Sequence, residues 1–202
     1  MIKNIFKFFS IVMPYPKSHK QNSRNKILHS AFSLFCSKGY DNVTIDQIMQ
    51  NSQLTRGAFY AHFKNKAALY TQVISHAASH STLRDLKPDN LNDKQWLDKL
   101  LTSYLRIEHV NGTRPCPLAF LVTDIAVQNN AAKQAYANSF TAMNRIIHSY
   151  TEDYTHCTTA TVESVVCMII GAVAICRTMQ DPATITALLS SCLTQAKQAL
   201  DL

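Results

Sequence analysis

The sequence predicts an all-α fold of about nine helices, and three observations predict it. Apolar residues recur at spacings of three and four in one segment after another. No period-two run bounded by hairpin turns interrupts them. Glycine, with 4 of 202 residues, is too scarce for a turn-dense β fold or a Gly-rich phosphate loop.

The elements follow in order. Residues 1–22 read as a flexible tail, broken by Pro14 and Pro16, or as an extension upstream of a start at Met13. Phe6, Phe8 and Phe9 beside Lys3 and Lys7 could touch a membrane surface, but an arm is the better reading. Helical period begins near Ser23, with Ile27, Ala31, Leu34 and Phe35 on one face, and Gly39 stops it after Lys38. Thr44-Ile45-Asp46-Gln47 fits a capping box, and Ile45, Ile48 and Met49 form the apolar face of a short helix. After a tight break at Asn51-Ser52-Gln53-Leu54, a third helix opens at Thr55. Asn65 can cap a fourth, reaching about His80. Further helices are expected over 93–109, 117–128, 131–153, 158–179 and 182–200. Pro117 and Pro182 stand at first turns, and Asp181 is a cap.

Charge divides the chain. The net charge is +7, yet residues 1–66 hold ten Lys/Arg against two Asp, and residues 67–202 hold ten against eleven acids. A basic first third on a near-neutral apolar remainder is the footprint of a nucleic-acid-binding head on a body with another task. The six cysteines show neither CxxC nor zinc-like spacing, which fits reduced thiols in a cytoplasmic protein. Val165–Cys176 is too short for a membrane span of about twenty residues and reads as a buried helix. No nucleophile elbow, HExxH or acid pair supports an enzyme, and no metal or other cofactor is implied. His76 and His80 share a helix face but lack a third ligand, so a surface role is preferred.

Residues 44–60 have the length, caps and apolar spacing of a helix-turn-helix, whose second helix lays its N-terminal residues in the major groove. Thr55, Arg56, Gly57 and Ala58 make that end small and polar. Arg56 can fork to guanine O6/N7 or grip a phosphate, and Gly57 permits close backbone approach. Thr44, Thr55, Tyr60 and His62 can bond phosphates, and Lys66 stands at a helix start where amides and ammonium attract one. Phe59 and Phe63 should face inward.

The stretch Tyr40-Asp41-Asn42-Val43-Thr44-Ile45-Asp46-Gln47-Ile48, with Leu54-Thr55-Arg56-Gly57-Ala58-Phe59-Tyr60-Ala61-His62-Phe63-Lys64-Asn65-Lys66-Ala67-Ala68-Leu69, resembles the DNA-binding domain of the tetracycline-repressor-type (TetR/AcrR) regulators. The resemblance covers about residues 24–72. Where the family pattern has Ala-Gly at the turn, Ser52-Gln53 stands here. It implies a homodimeric repressor with an all-helical effector-binding body, released from a palindromic double-stranded operator by a small molecule. The expected organisation is then a head over 23–70 and an effector and dimerisation body over 71–202.

The body fits that implication. Residues 158–179 are apolar on nearly every face, and 182–200 carry one broad stripe, so the last two helices are expected to form a four-helix dimer interface. Tyr104, Phe120, Asp124, Tyr136, Phe140 and Met143 are candidates for an effector cavity. Arg114-Pro115-Cys116-Pro117-Leu118-Ala119 is similar to a helix start in one branch of these regulators. A thiol there, near Arg114, should have a lowered pKa and could sense electrophiles or oxidants. The alternatives to a ligand-released repressor are that redox sensor and a helical ligand-binding protein without DNA function.

Overall fold

Among the described residues the chain folds as eleven helices with no strand. The structure is a computed structural model that describes residues 17–80, 87–112, 115–151 and 157–202, with the side chains of 17–19 and 77–80 left out. The helices are α1 (Lys17–Lys38), α2 (Ile45–Asn51), α3 (Arg56–Tyr60), α4 (Lys66–His80), α5 (Asp93–Tyr104), α6 (Ile107–Val110), α7 (Pro117–Phe120), α8 (Val122–Ala126), α9 (Asn130–Ser149), α10 (Thr159–Cys176) and α11 (Pro182–Ala199).

The stop and start signals act as their chemistry requires. Gly39 takes φ +76 and its amide donates to the Phe35 carbonyl at 2.9 Å, closing α1. Asn65 accepts from the Ala68 amide at 2.8 Å to start α4, and Asp181 accepts from Thr184 at 2.9 Å to start α11.

Three expectations need correction. Residues 17–22 were expected in the tail but belong to α1. Residues 17–22 are polar and tolerate a helix, and Gln21 donates to Asn25 at 3.0 Å one turn on. The expected helix over 93–109 ends at Tyr104 and resumes at Ile107, because Leu105 leaves helical geometry (φ −91, ψ 52) to lie 4% exposed. The expected helix over 117–128 breaks at Leu121. These two breaks take the count from nine helices to eleven. The reading of residues 1–16 lies outside the described residues.

Two apolar cores explain the break at Leu121. One holds Ile27, Phe35, Ile48, Phe59, Phe63, Leu69 and Ile74 of the first four helices, together with Leu121, Ile125, Ala132 and Ala135. The other holds Trp96, Leu97, Leu118, Ala119, Val166, Ile170, Val173 and Leu189. The backbone turn between α7 and α8 lets one short stretch insert Leu118 into the second core and Leu121 into the first. Each large side chain so buried contributes about 1.5–3 kcal/mol.

α10 is long and apolar enough, by length and composition alone, to cross a membrane. Eight of its 18 residues are buried against the rest of the chain.

Candidate nucleic-acid interface

The capping box forms as its spacing predicts. The Gln47 amide donates to Thr44 Oγ1 at 3.1 Å, and the Thr44 amide donates to Gln47 Oε1 at 2.9 Å. α2 is thereby pinned at its start. Ile48 and Met49 bury its inner face. The turn after it is closed by the Leu54 amide donating to Met49 O at 2.9 Å. Gln53 occupies the left-handed region there, φ +57, where the family pattern has glycine.

α3 then divides by face. Phe59 is 0% and Phe63 2% exposed, as expected, and their ring centroids lie 5.7 Å apart. Thr55, Arg56, Gly57 and Tyr60 are exposed and Ala58 is half-buried. Thr55 occupies the cap position without a side-chain bond, so its hydroxyl is available outward. A Cβ built at Gly57 would meet nothing nearer than Thr55 Oγ1 at 3.9 Å. The fold itself therefore places no steric demand on that glycine. Arg56 Nη1 pairs with Asp46 Oδ2 at 3.1 Å.

The other expected contact residues are placed differently from one another. His62 is half-buried, and burial, then Lys20 and Arg24, push its imidazole below the usual value. Lys66 turns inward. Its ammonium donates to Tyr40 O at 2.9 Å and Val43 O at 3.0 Å, and sits 4.1 Å from the Tyr40 ring centre. Two of its three N–H groups thus tie the α1–α2 loop to the start of α4. Sequence reasoning passed over Lys20 and Arg24, which the fold brings beside His62. The excess of cations before residue 67 was the signal that could have found them.

The residues expected in an effector cavity are scattered through internal bonds. Asp124 Oδ2 accepts from the Tyr40 amide at 2.6 Å and from the Tyr70 hydroxyl at 3.3 Å, which ties α8 to α4 and to the loop after α1 at the edge of the first core. Tyr136 donates its hydroxyl to Leu118 O at 2.5 Å. Phe120 lies under the Arg177 guanidinium, 3.4 Å from ring centre to Cζ, while Arg177 Nη2 donates to Cys36 O at 3.0 Å. Tyr104 packs against His109, centroids 4.5 Å apart, beside the Cys116 thiol. Phe140 and Met143 pack at the margin of the second core.

The expected lowering of the Cys116 pKa is corrected. Burial pushes the thiol up and outweighs the bonds from Tyr104 and from the Ala119 and Leu118 amides. Arg114 lies outside the described residues. Burial likewise pushes Cys36 up to about 12, against the Arg177 charge. His76 meets His29 edge-on at 5.9 Å, and the His80 side chain is not among those described.

Residues 27–73 match the family model described as "Bacterial regulatory proteins, tetR family". The chain is 35% identical over 97 residues to the transposon Tn10 TetC protein of Escherichia coli, a match covering 44% of this chain and 48% of that protein. It is 35% identical over 51 residues to the biofilm operon icaADBC HTH-type negative transcriptional regulator IcaR of Staphylococcus aureus, covering 25% and 27% of the two chains. The chain thus spans about half or less of these curated relatives. Among solved structures, the TetR-family transcriptional regulator of Cytophaga hutchinsonii shares the fold, with a TM-score of 0.76 and 16% identity over 92% of this chain and 96% of that one.

Proposed function

With a head that belongs to the tetR family of bacterial regulatory proteins as its premise, we propose that this chain is a cytoplasmic DNA-binding transcriptional regulator. It acts as a homodimeric repressor released from its operator by a small-molecule effector. The observation that carries the reading is the division of α3, with Phe59 locked inside and Thr55, Arg56, Gly57 and Tyr60 turned outward on one short helix. An open glycine beside an exposed arginine is suited to a major-groove floor. Thr44 and His62 flank that helix as phosphate contacts, with Lys66 holding the frame. The head is assigned to residues 23–70 and the body to 71–202, with α4 shared between them.

Dimerisation through α10 and α11 is supported by their outer surface. Ile175 is 53% exposed, and a Cβ built at Gly171 meets nothing within 4 Å. A second subunit could therefore approach α10 closely. The effector part of the reading is supported by a cleft of about 430 Å³ between α9 and α10, lined by Phe140, Thr141, Asn144, Arg145, His148 and Val162 among others. That size suits a small organic molecule. Asn144 is 8% exposed and its Oδ1 has no hydrogen-bond partner among the described residues, so the cleft offers one buried acceptor. Of the residues expected around an effector, Phe140 lines this cleft.

The test is a mobility-shift titration on the DNA upstream of the chain's own gene, with random duplex as competitor. Sequence-selective retardation that weakens steeply with salt supports the reading. Retention of neither duplex, or equal retention of both at every salt concentration, refutes it.

A further inference from the structure

The ion pair between Asp46 and Arg56 bridges the two helices of the motif on its outer face. Its atoms lie 3.1 Å apart, with side chains 65% and 61% exposed. Tyr60, one turn further along α3, stands beside the same guanidinium and helps to keep it charged. A pair this exposed adds little to folding. What it changes is the direction of Arg56 and the anions that can reach it.

Asp46 is fixed by more than its own bond to Arg56. It stands in the first turn of α2, where the capping box holds the backbone and the helix dipole favours a carboxylate. The carboxylate therefore meets one edge of the guanidinium from a rigid site. Guanidinium carries five N–H donors in a planar fork, so an edge bonded to Asp46 leaves another for a second partner. Guanine offers that edge two neutral acceptors, O6 and N7. A phosphate in the same place would bring a second anion against the Asp46 carboxylate. The pair thus favours a base over a backbone contact at Arg56. The same carboxylate repels the phosphates of any duplex, whatever its sequence.

We propose that Asp46 is a specificity-determining positioning residue, holding Arg56 towards a guanine edge and penalising its use as a phosphate anchor. The proposal rests on the reading of α3 as the DNA-contacting helix.

The experiment uses the full chain. Duplexes selected by the wild-type protein from a random library are titrated against a shuffled duplex across a salt series. Wild type is compared with Asp46→Asn, Asp46→Glu, Arg56→Ala and the Asp46→Asn/Arg56→Ala double variant. Asp46→Asn is expected to bind shuffled DNA about two- to threefold tighter and to lower the ratio of selected to shuffled affinity about five- to tenfold. Asp46→Glu should keep most of that ratio. In the Arg56→Ala background, Asp46→Asn should change the ratio by less than about twofold, since the group it positions is gone. A helix-capping role alone would move thermal stability and leave the ratio alone. If the wild-type chain discriminates and Asp46→Asn keeps its ratio, or gains equally on both duplexes, the proposal is overturned by itself. If the wild type prefers no selected duplex, the DNA reading falls and takes the proposal with it.

Discussion

Replacing Gln53 with glycine should stabilise the protein, although Gln53 is an ordinary polar residue at an exposed turn. Its φ is +57, a region where a Cβ crowds the following carbonyl and costs about 1–2 kcal/mol. Its side chain is exposed and makes no hydrogen bond among the described residues, so removal forfeits no contact. Its amide bond to Gln50 O at 3.1 Å is backbone and survives the change. Against the relief stands glycine's greater freedom in the unfolded chain, about 0.5–1 kcal/mol. The net expectation is a gain of up to about 1.5 kcal/mol, which for a chain of this size raises Tm by up to about 6 °C. Thermal or urea unfolding at fixed protein concentration reads the effect, because any self-association shifts apparent stability. Gln53→Ala is the control, since it removes the side chain but keeps the Cβ. If Gln53→Ala stabilises as much as Gln53→Gly, or if the glycine variant is less stable than wild type, the backbone argument is wrong.

Three further outcomes are expected. Lys66→Met should destabilise the fold by about 1–3 kcal/mol, because it strands the part-buried Val43 carbonyl and leaves the Tyr40 carbonyl only the longer bond from the Val43 amide. Urea unfolding measures this, and unchanged stability with weaker DNA binding would return Lys66 to the role of a plain phosphate contact. His109 is held below its usual 6.5 by burial and then by the Arg177 charge. The unfolded chain therefore takes up the proton first, and stability should fall as pH drops below about 6.5. His109→Phe, which keeps the ring between Tyr104 and Phe120, should flatten that fall in a pH series of melts, and an unchanged slope would exonerate His109. A Cβ at Gly171 meets no described atom within 4 Å and a side chain there improves helix propensity, so the Gly171→Leu monomer should fold as well or better. Sedimentation should nevertheless show dimer loss, and a dimer of unchanged strength would remove the α10 outer face from the interface.

Local chemistry made the head legible. Thr44 with Gln47, Asn65 before Lys66, and Gly39 after Lys38 act within four residues of themselves, and each closes a backbone bond that the sequence already implies. Phe59 and Phe63 point inward because the turn after α3, closed by the Phe63 amide on Phe59 O at 2.9 Å, sets the two four residues apart on one apolar face. The breaks at Leu105 and Leu121 were not legible, since neither carries proline or glycine. Each occurs because a leucine gains more by entering a core than by continuing a helix, and that core is built by distant segments. Charged and polar side chains were the least readable. Lys66 looked like a phosphate anchor, Asp124 like a ligand contact and Cys116 like an activated thiol. The first binds carbonyls 26 and 23 residues away, the second a backbone amide 84 residues away, and the third is half-buried beside Tyr104, where burial pushes its thiol up. The helical class, the caps and the exposed edge of α3 can be read before folding, because they depend on neighbours along the chain. Which polar groups remain open to a partner depends instead on which carbonyls, amides and charges the folded chain brings within about 3 Å of them.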